Sequence, residues 1–294
     1  MNSIKEYIHK KRASLSQSSI TTYSSIIKNL YMKVFNDDKY DLDKFDQTDK
    51  VLHFLKDIPP NRRKTILSAL VIITDKKEYR DLMLDDVRSY NKDIHKQEKT
   101  ETQENNWVSS DKIKEVFEEY KKNAELLYKK KTLKPADLQQ IQSFIILCLL
   151  SGLMIPPRRS KDYCDFKIKS IDRTKDNFID KNTMNFNSYK TAKTYGLQQV
   201  ELPITLKKIL TKWISVNPTD YLLFDANMNK LSSVKLNQRL NKIFDEKHIS
   251  INALRHTYLT DKYGHTIEQK SEIDNTMKDM GSSSGMLETY VKKD

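Results

Sequence analysis

Between His95 and Asn106 the chain reads HKQEKTETQENN, twelve consecutive residues without one apolar side chain. A stretch with nothing to bury cannot lie inside a core, so it is a solvated linker or an exposed helix end. It divides the 294 residues into two parts, each long enough for a core of its own. The expected organisation is one domain over 1–94, a linker over 95–106 and a second domain over 107–294.

The first part has the period of helix. Ile20, Tyr23, Ile27, Leu30 and Val34 recur at three- and four-residue steps within 14–35, behind a Ser-rich start that can cap the helix. A second helix is expected over Asp49–Ile58, stopped by Pro59-Pro60. A third runs over Asn61–Thr74, with Ile66, Leu70 and Ile73 on one face and Arg62, Arg63 and Lys64 near the start of the other. A fourth covers Lys76–Ile94. These make a small all-helical bundle.

In the second part, Ser109 or Ser110 can cap a helix that continues through Tyr120. Leu138–Leu150 is the best candidate for a buried core helix. Residues 164–204 change character: short segments with Tyr, Phe, Val and Ile alternate with Asn, Asp, Lys and Gly, which predicts a small antiparallel sheet. Helical periodicity returns over Leu206–Ile214, Leu236–Phe244, Asn252–Tyr263 and Ser271–Met280. The fold class is mainly α, a helical N-terminal domain followed by an α+β domain.

The net charge is +12, and it is uneven. From Trp107 onward 32 Lys+Arg face 23 Asp+Glu, an excess of nine. Such a surface favours a polyanionic partner, nucleic acid or an anionic membrane; an AT-rich coding sequence would enrich lysine as well. The longest apolar run, Phe144–Leu150, is too short to span a bilayer, so no membrane insertion is expected. The charged start Met1-Asn2-Ser3-Ile4-Lys5-Glu6 lacks a signal-peptide apolar region, and an intracellular location is expected. Cys148 and Cys164 cannot build a disulfide framework, and neither stands in a metal-ligand spacing with the six histidines. No metal site and no cofactor are expected.

Four groups of residues carry chemistry. Arg158 and Arg159 follow a buried helix and Pro156-Pro157, a rigid platform from which a planar guanidinium can meet a phosphate. Asp162, three residues after Arg159, shares its face if a helix restarts there and would hold that guanidinium; a plain surface ion pair is the alternative. Arg255, in Asn252-Ala253-Leu254-Arg255-His256-Thr257, falls between Leu254, Tyr258 and Leu259, an expected packed face, and so is expected to be partly buried and to need an anion. His256 is expected to be hydrogen-bonded in or behind the core rather than to act as a base. Lys190 and Lys193 lie in an expected β-hairpin with Gly196 near its turn. A lysine there can protonate a leaving oxygen, contact phosphate or keep a sheet edge soluble. Tyr290, after the flexible Gly281-Ser282-Ser283-Ser284-Gly285, is one of 15 tyrosines and means little alone.

In this order the residues resemble the tyrosine recombinase (phage-type integrase) family. Ser151-Gly152-Leu153 and Arg159-Ser160-Lys161-Asp162 are similar to its first motif, an arginine with an acid three residues on. Asn252-Ala253-Leu254-Arg255-His256-Thr257 is similar to its second, His-x-Leu-Arg-His-Thr. Met280-Gly281-Ser282-Ser283-Ser284 with Tyr290 resembles its tail, Leu-Gly-His-Ser-Ser followed by Thr-x-x-Tyr. The family's hairpin lysine resembles Lys193, which the spacing to Pro203 favours, with Lys190 as alternative. Pro-Pro-Arg-Arg-x-x-Asp-Tyr and Lys-Thr-x-Lys-Thr-Tyr-Gly look most like integrases of large DNA viruses and virophages. Two positions depart: Asn252 and Ser282 stand where the family usually has histidine. Both can hydrogen-bond a phosphate, but neither can take a proton near neutral pH.

The resemblance implies a helical, SAM-like core-binding domain followed by an α+β catalytic domain. It also implies catalytic roles for Arg159, Lys193 (or Lys190), Arg255 and Tyr290, with Asn252 and Ser282 as substituted helpers. The implied reaction cuts and rejoins double-stranded DNA through a 3′-phosphotyrosyl link, without metal or ATP, in a homotetramer on two DNA sites. Two domains would clamp the duplex. The alternatives are a type IB topoisomerase-like enzyme, which shares the tyrosine chemistry but rejoins the same strand, and a DNA-binding protein of the same fold that has lost turnover at Asn252 and Ser282.

Overall fold

The computed structural model describes residues 2–37, 39–245 and 248–292. They form two compact units, Met1–Lys99 and Thr100–Asp294.

The first unit is helical throughout its regular structure: α1 (Asn2–Lys11), α2 (Gln17–Phe35), a 3-10 turn (Leu42–Asp46), α3 (Thr48–Leu55), α4 (Pro60–Thr74) and α5 (Lys77–His95). The Ser16 hydroxyl accepts the Ser19 N–H at 3.1 Å, so the Ser-rich start does cap α2. Pro60 sits in the first turn of α4, where its missing N–H costs nothing. Ile8, Ile27, Tyr31, Phe45, Leu55, Leu67 and Tyr79 are fully buried in one core. The sequence carries little sign of α1, whose described residues bury Ile4 and Ile8 and pack Tyr7 against the core. On α4, Arg63 grips the buried Asp86 of α5 with two bonds, Nε–Oδ2 at 2.9 Å and Nη2–Oδ1 at 2.7 Å.

In the second unit, part of the apolar-free stretch is ordered as a short helix, α6 (Glu101–Asn105), with Thr100 and Gln103 forming a capping box. It is followed by α7 (Ser110–Leu127), capped by Ser109, and α8 (Pro135–Leu150). Every residue of α8 from Ile141 to Leu150 is buried. Gln142, on that helix, is buried among apolar neighbours and behaves as a spare strand edge: its amide donates to Phe224 O and its carbonyl accepts from Phe224 N, both at 2.8 Å. A buried amide so satisfied fixes the 222–224 segment on α8.

Next come α9 (Ser160–Cys164), β1 (Phe166–Lys167), β2 (Asn177–Asp180), β3 (Thr183–Phe186), α10 (Ala192–Tyr195) and β4 (Gln198–Glu201). The sheet order is β1-β2-β3-β4. β2, β3 and β4 pair antiparallel as expected, but β1 runs parallel to β2, so the sheet is mixed. A two-residue strand is too short to show alternation, which is why its direction is illegible in the sequence.

The chain ends in α11 (Ile204–Val216), α12 (Ser233–Ile243), α13 (Ile251–Asp279) and α14 (Leu287–Tyr290). The two helices expected over 252–263 and 271–280 are one helix of 29 residues. Gly264 alone, without a proline, does not stop it. Cys148 and Cys164 are both buried, and burial pushes the Cys164 thiol up to about 11. Among the described residues, no helix is long and apolar enough to cross a membrane and no cluster of metal-ligand type occurs.

Candidate functional site

Two chain segments, 158–162 and the start of α13, act on one carboxylate. Asp162, in the short helix α9, is 2% exposed. Its Oδ2 accepts from Arg158 Nε at 3.0 Å, while its Oδ1 is buried with no hydrogen-bond partner among the described residues. Burial raises the Asp162 carboxyl above the ordinary carboxylate value, against the opposing pull of Arg158, Arg159 and Arg255. Arg255 comes from α13, so two motifs far apart in sequence act on the same buried charge.

The arginine pair is divided between two tasks, and not as the spacing predicts. Asp162 is held by Arg158, four residues away, and not by Arg159. The reason lies in where α9 begins. Arg159 is its N-cap, with extended backbone (φ −70°, ψ 152°), and successive side chains of extended backbone point opposite ways. Arg158 turns inward to the carboxylate and Arg159 is left exposed.

Arg158 is also tied to the sheet. Its Nη1 donates to Gln198 Oε1 at 2.9 Å, and its guanidinium carbon lies 4.0 Å from the Phe186 ring centroid and 5.2 Å from that of Tyr189. The loop that leaves β3 and returns in β4 carries both candidate lysines. Lys190 and Lys193 are exposed, Lys193 in the single turn of α10, and neither makes an ion pair with a described residue. The expected hairpin is real in its strands, but its connection is this longer loop. Gly196 (φ +66°) stands just before β4 and not at a tight turn.

Arg255 is half-buried on the first turns of α13, where the Ser250 hydroxyl accepts the Ala253 N–H at 3.3 Å. The packed face is Ile251, Leu254 and Thr257, with the Thr257 hydroxyl donating to Val108 O at 2.8 Å. Leu259, expected on that face, is 48% exposed, because it lies one position past the point where α13 leaves the core. Tyr258 lies against Gly152, whose φ of +84° suits glycine. Asn252 and His256 are exposed and line a shallow pocket of about 180 Å³ with Trp107 and His248. His256 makes no hydrogen bond to a described residue, contrary to its expected place in or behind the core.

Tyr290 and Ser282 are not brought to these arginines. At 1.5 Å per residue α13 is about 43 Å long, and its last residue, Asp279, stands about 36 Å along the axis from Arg255. Beyond it, Gly281 (φ +69°) reverses the chain and the Ser282 N–H donates to Met277 O at 2.8 Å. The tail packs on α13 and on itself. Tyr290 is 57% exposed, with no hydrogen bond or ring contact to a described residue.

The residues that sequence reasoning passed over are Gln198, Tyr189 and Phe186, all seats for Arg158. Their only signal is their place at the ends of the expected hairpin. Chemically, the site offers an exposed Arg159, a half-buried Arg255 and, on the loop seated by Arg158, two exposed lysines without an ion pair among the described residues, donors suited to a phosphodiester.

No protein-family model and no curated protein matches the chain. Among solved structures the chain is similar to lambda integrase (residues 75–356) bound to DNA, at 14% identity, covering 89% of this chain and 86% of that one, with a TM-score of 0.48. It is also similar to the XerH site-specific recombinase bound to its difH substrate before cleavage, at 13% identity over 99% of this chain and 91% of that one, TM-score 0.41. XerA recombinase shares 13% identity over 88% and 83% of the two chains, TM-score 0.35. Likenesses this loose carry no inference about the site.

Proposed function

We propose that the chain is a tyrosine-type site-specific DNA recombinase, which cuts and rejoins double-stranded DNA through a 3′-phosphotyrosyl intermediate. The observation that carries this reading is that Arg159 and Arg255, from motifs far apart in sequence, both act electrostatically on the buried Asp162, which Arg158 holds directly. Sequence resemblance adds the order of the motifs and points to integrases of large DNA viruses and virophages.

In this reading Arg159 and Arg255 bind the non-bridging oxygens of the scissile phosphate and offset the charge that builds there in the transition state. The Tyr290 oxygen attacks phosphorus, the bond to the 5′-oxygen breaks, and Lys193, or Lys190, delivers a proton to that oxygen. The Tyr290 proton passes to solvent, since Asn252 and Ser282 can only hydrogen-bond. A 5′-hydroxyl of a second duplex then attacks the phosphotyrosine and releases Tyr290, so the phosphodiester energy is conserved. The working assembly is a homotetramer on two DNA sites, held mainly by Lys and Arg on phosphates. Residues 1–94 would serve as the core-binding domain, 95–106 as the linker and 107–294 as the catalytic domain.

The step that must accompany DNA binding is delivery of Tyr290 from beyond α13 to the arginines. A nicked suicide duplex tests the whole reading. Wild type is expected to form a covalent adduct that Tyr290→Phe does not. DNA binding by wild type without any adduct would overturn it in favour of a non-catalytic DNA-binding protein. Relaxation of a supercoiled plasmid by monomer would point to topoisomerase-like rejoining.

A further inference from the structure

Arg158 lies next to the phosphate arginine of the proposed reaction yet is not available for phosphate. Its side chain is 18% exposed, and its guanidinium already serves Asp162 and Gln198, at 3.0 and 2.9 Å. What its partners have in common is the lysine loop. Phe186 and Gln198 are the Cα partners at the loop end of the β3–β4 ladder, so Arg158 stacks on one foot of the loop and bonds the other. Tyr189, the third seat, donates its hydroxyl to Gly196 O at 2.7 Å and closes the loop on itself.

The two feet are not held alike. The first is pinned independently of Arg158: Asn177 donates to Ser188 O at 2.8 Å and accepts from Ser188 N at 2.7 Å, and Asn187 donates to Asp176 O at 2.8 Å. Beyond the ladder itself, the second foot has Gln199 donating to Asn185 Oδ1 at 2.8 Å, Tyr189 on Gly196 and Arg158 on Gln198, and of these the Arg158 bond is the one that holds Gln198, where the loop ends. Lys190 and Lys193 hang between the feet. Arg159 is the residue after Arg158, so one short stretch of backbone carries both the loop anchor and the phosphate ligand.

We propose that Arg158 is a positioning residue that sets the reach of the lysine loop toward the phosphate held by Arg159, and so controls protonation of the leaving 5′-oxygen without touching DNA. The inference rests on the recombinase reading given above. Gln198 is its specific counterpart: a neutral amide fixes the position of the fork without adding a second charge, and only a planar, bidentate group reaches Asp162 and Gln198 together.

The test separates leaving-group protonation from phosphate binding. Two suicide duplexes are compared, identical except that the scissile bridging atom is 5′-oxygen in one and 5′-sulfur in the other. Sulfur departs as a stable thiolate and gains little from a general acid. Arg158→Lys, which keeps a cation for Asp162, and Gln198→Ala, which leaves the Asp162 pair intact, are each expected to slow cleavage of the oxygen duplex by roughly 10- to 100-fold. Both are expected to cleave the sulfur duplex within about twofold of wild type, at unchanged DNA affinity, matching the pattern of the lysine that acts as the acid. Arg159→Ala is expected to be slow on both. Equal losses on the two duplexes for Arg158→Lys and Gln198→Ala, with a normal melting temperature, would overturn the role for Arg158 and leave the recombinase reading standing. No adduct from wild type on either duplex would overturn both.

Discussion

The two ends of α13 live in different surroundings. Its first turns are fastened to the core by Ile251, Leu254 and the bond from Thr257 to Val108, and there it presents Arg255 beside Asp162. Between Tyr258 and Met277 no residue of the helix is buried, and Leu259, Tyr263 and Ile267 stand 46–48% exposed. A solvated helix of that length is marginal on its own, because in proteins most helical stability comes from packing one face. The near half is built to hold an arginine still. The far half leads to Tyr290 and has little to keep it in one place, which suits the delivery of Tyr290 that the proposed reaction requires.

The sharpest way to break this contrast is to remove the fixed end. Arg255→Ala is expected to lower the rate of covalent adduct formation by about 10²- to 10³-fold, measured by single-turnover cleavage of the suicide duplex at saturating protein. A smaller loss would mean that Arg255 is not on the phosphate. Next in size is packing: Leu254→Ala is expected to cost about 2–5 kcal/mol, whereas Ile267→Ala should stay within about 0.5 kcal/mol, both by denaturant unfolding. Equal costs would show that the far half is packed after all. Hydrogen exchange should give the same order, with the amides of 254–258 protected well beyond those of 262–276 in the free protein; DNA that protects the far half would mark the delivery of Tyr290.

The smallest effect is a pH dependence of stability at the same site. Burial gives Asp162 a raised carboxyl pKa in the folded chain, so between the ordinary carboxylate value and that raised value the folded state holds more protons than the unfolded one. Stability contributed by this group is therefore greatest below about pH 4 and falls as pH rises through that window. Comparing the melting temperatures of wild type and Asp162→Asn across acidic to neutral pH isolates the trend: the wild-type advantage should shrink as pH rises.

Much of the helical frame was legible because it depends on local signals. Ser16 and Ser109 cap the helices whose starts they announce, and the apolar run before Leu150 is the buried centre of the second unit. Where the local signal thins, the structure cannot be read from it: α1 buries little beyond Ile4, Ile8 and part of Tyr7 among its described residues, and residues 264–270 look like a gap although nothing in them stops a helix. The site was legible as residue types in order, not as geometry. Which of two adjacent arginines faces Asp162 depends on whether α9 starts at residue 159 or 160, a boundary no periodicity resolves. The distance of Tyr290 from the arginines depends on whether α13 is one helix or two.

Gly152 sets how deeply the fixed end of α13 seats. A Cβ built there would meet Tyr258 Cδ2 at 2.5 Å and Cγ at 3.1 Å, well inside ordinary contact. The backbone at 152 thus acts as a depth stop against which the Tyr258 ring rests, and Arg255 lies one turn before that ring on the same helix. Clearance of a single methyl group separates an α13 that seats fully from one held away from the core. The seating of one arginine relative to the other is therefore gauged by a side chain that is not there.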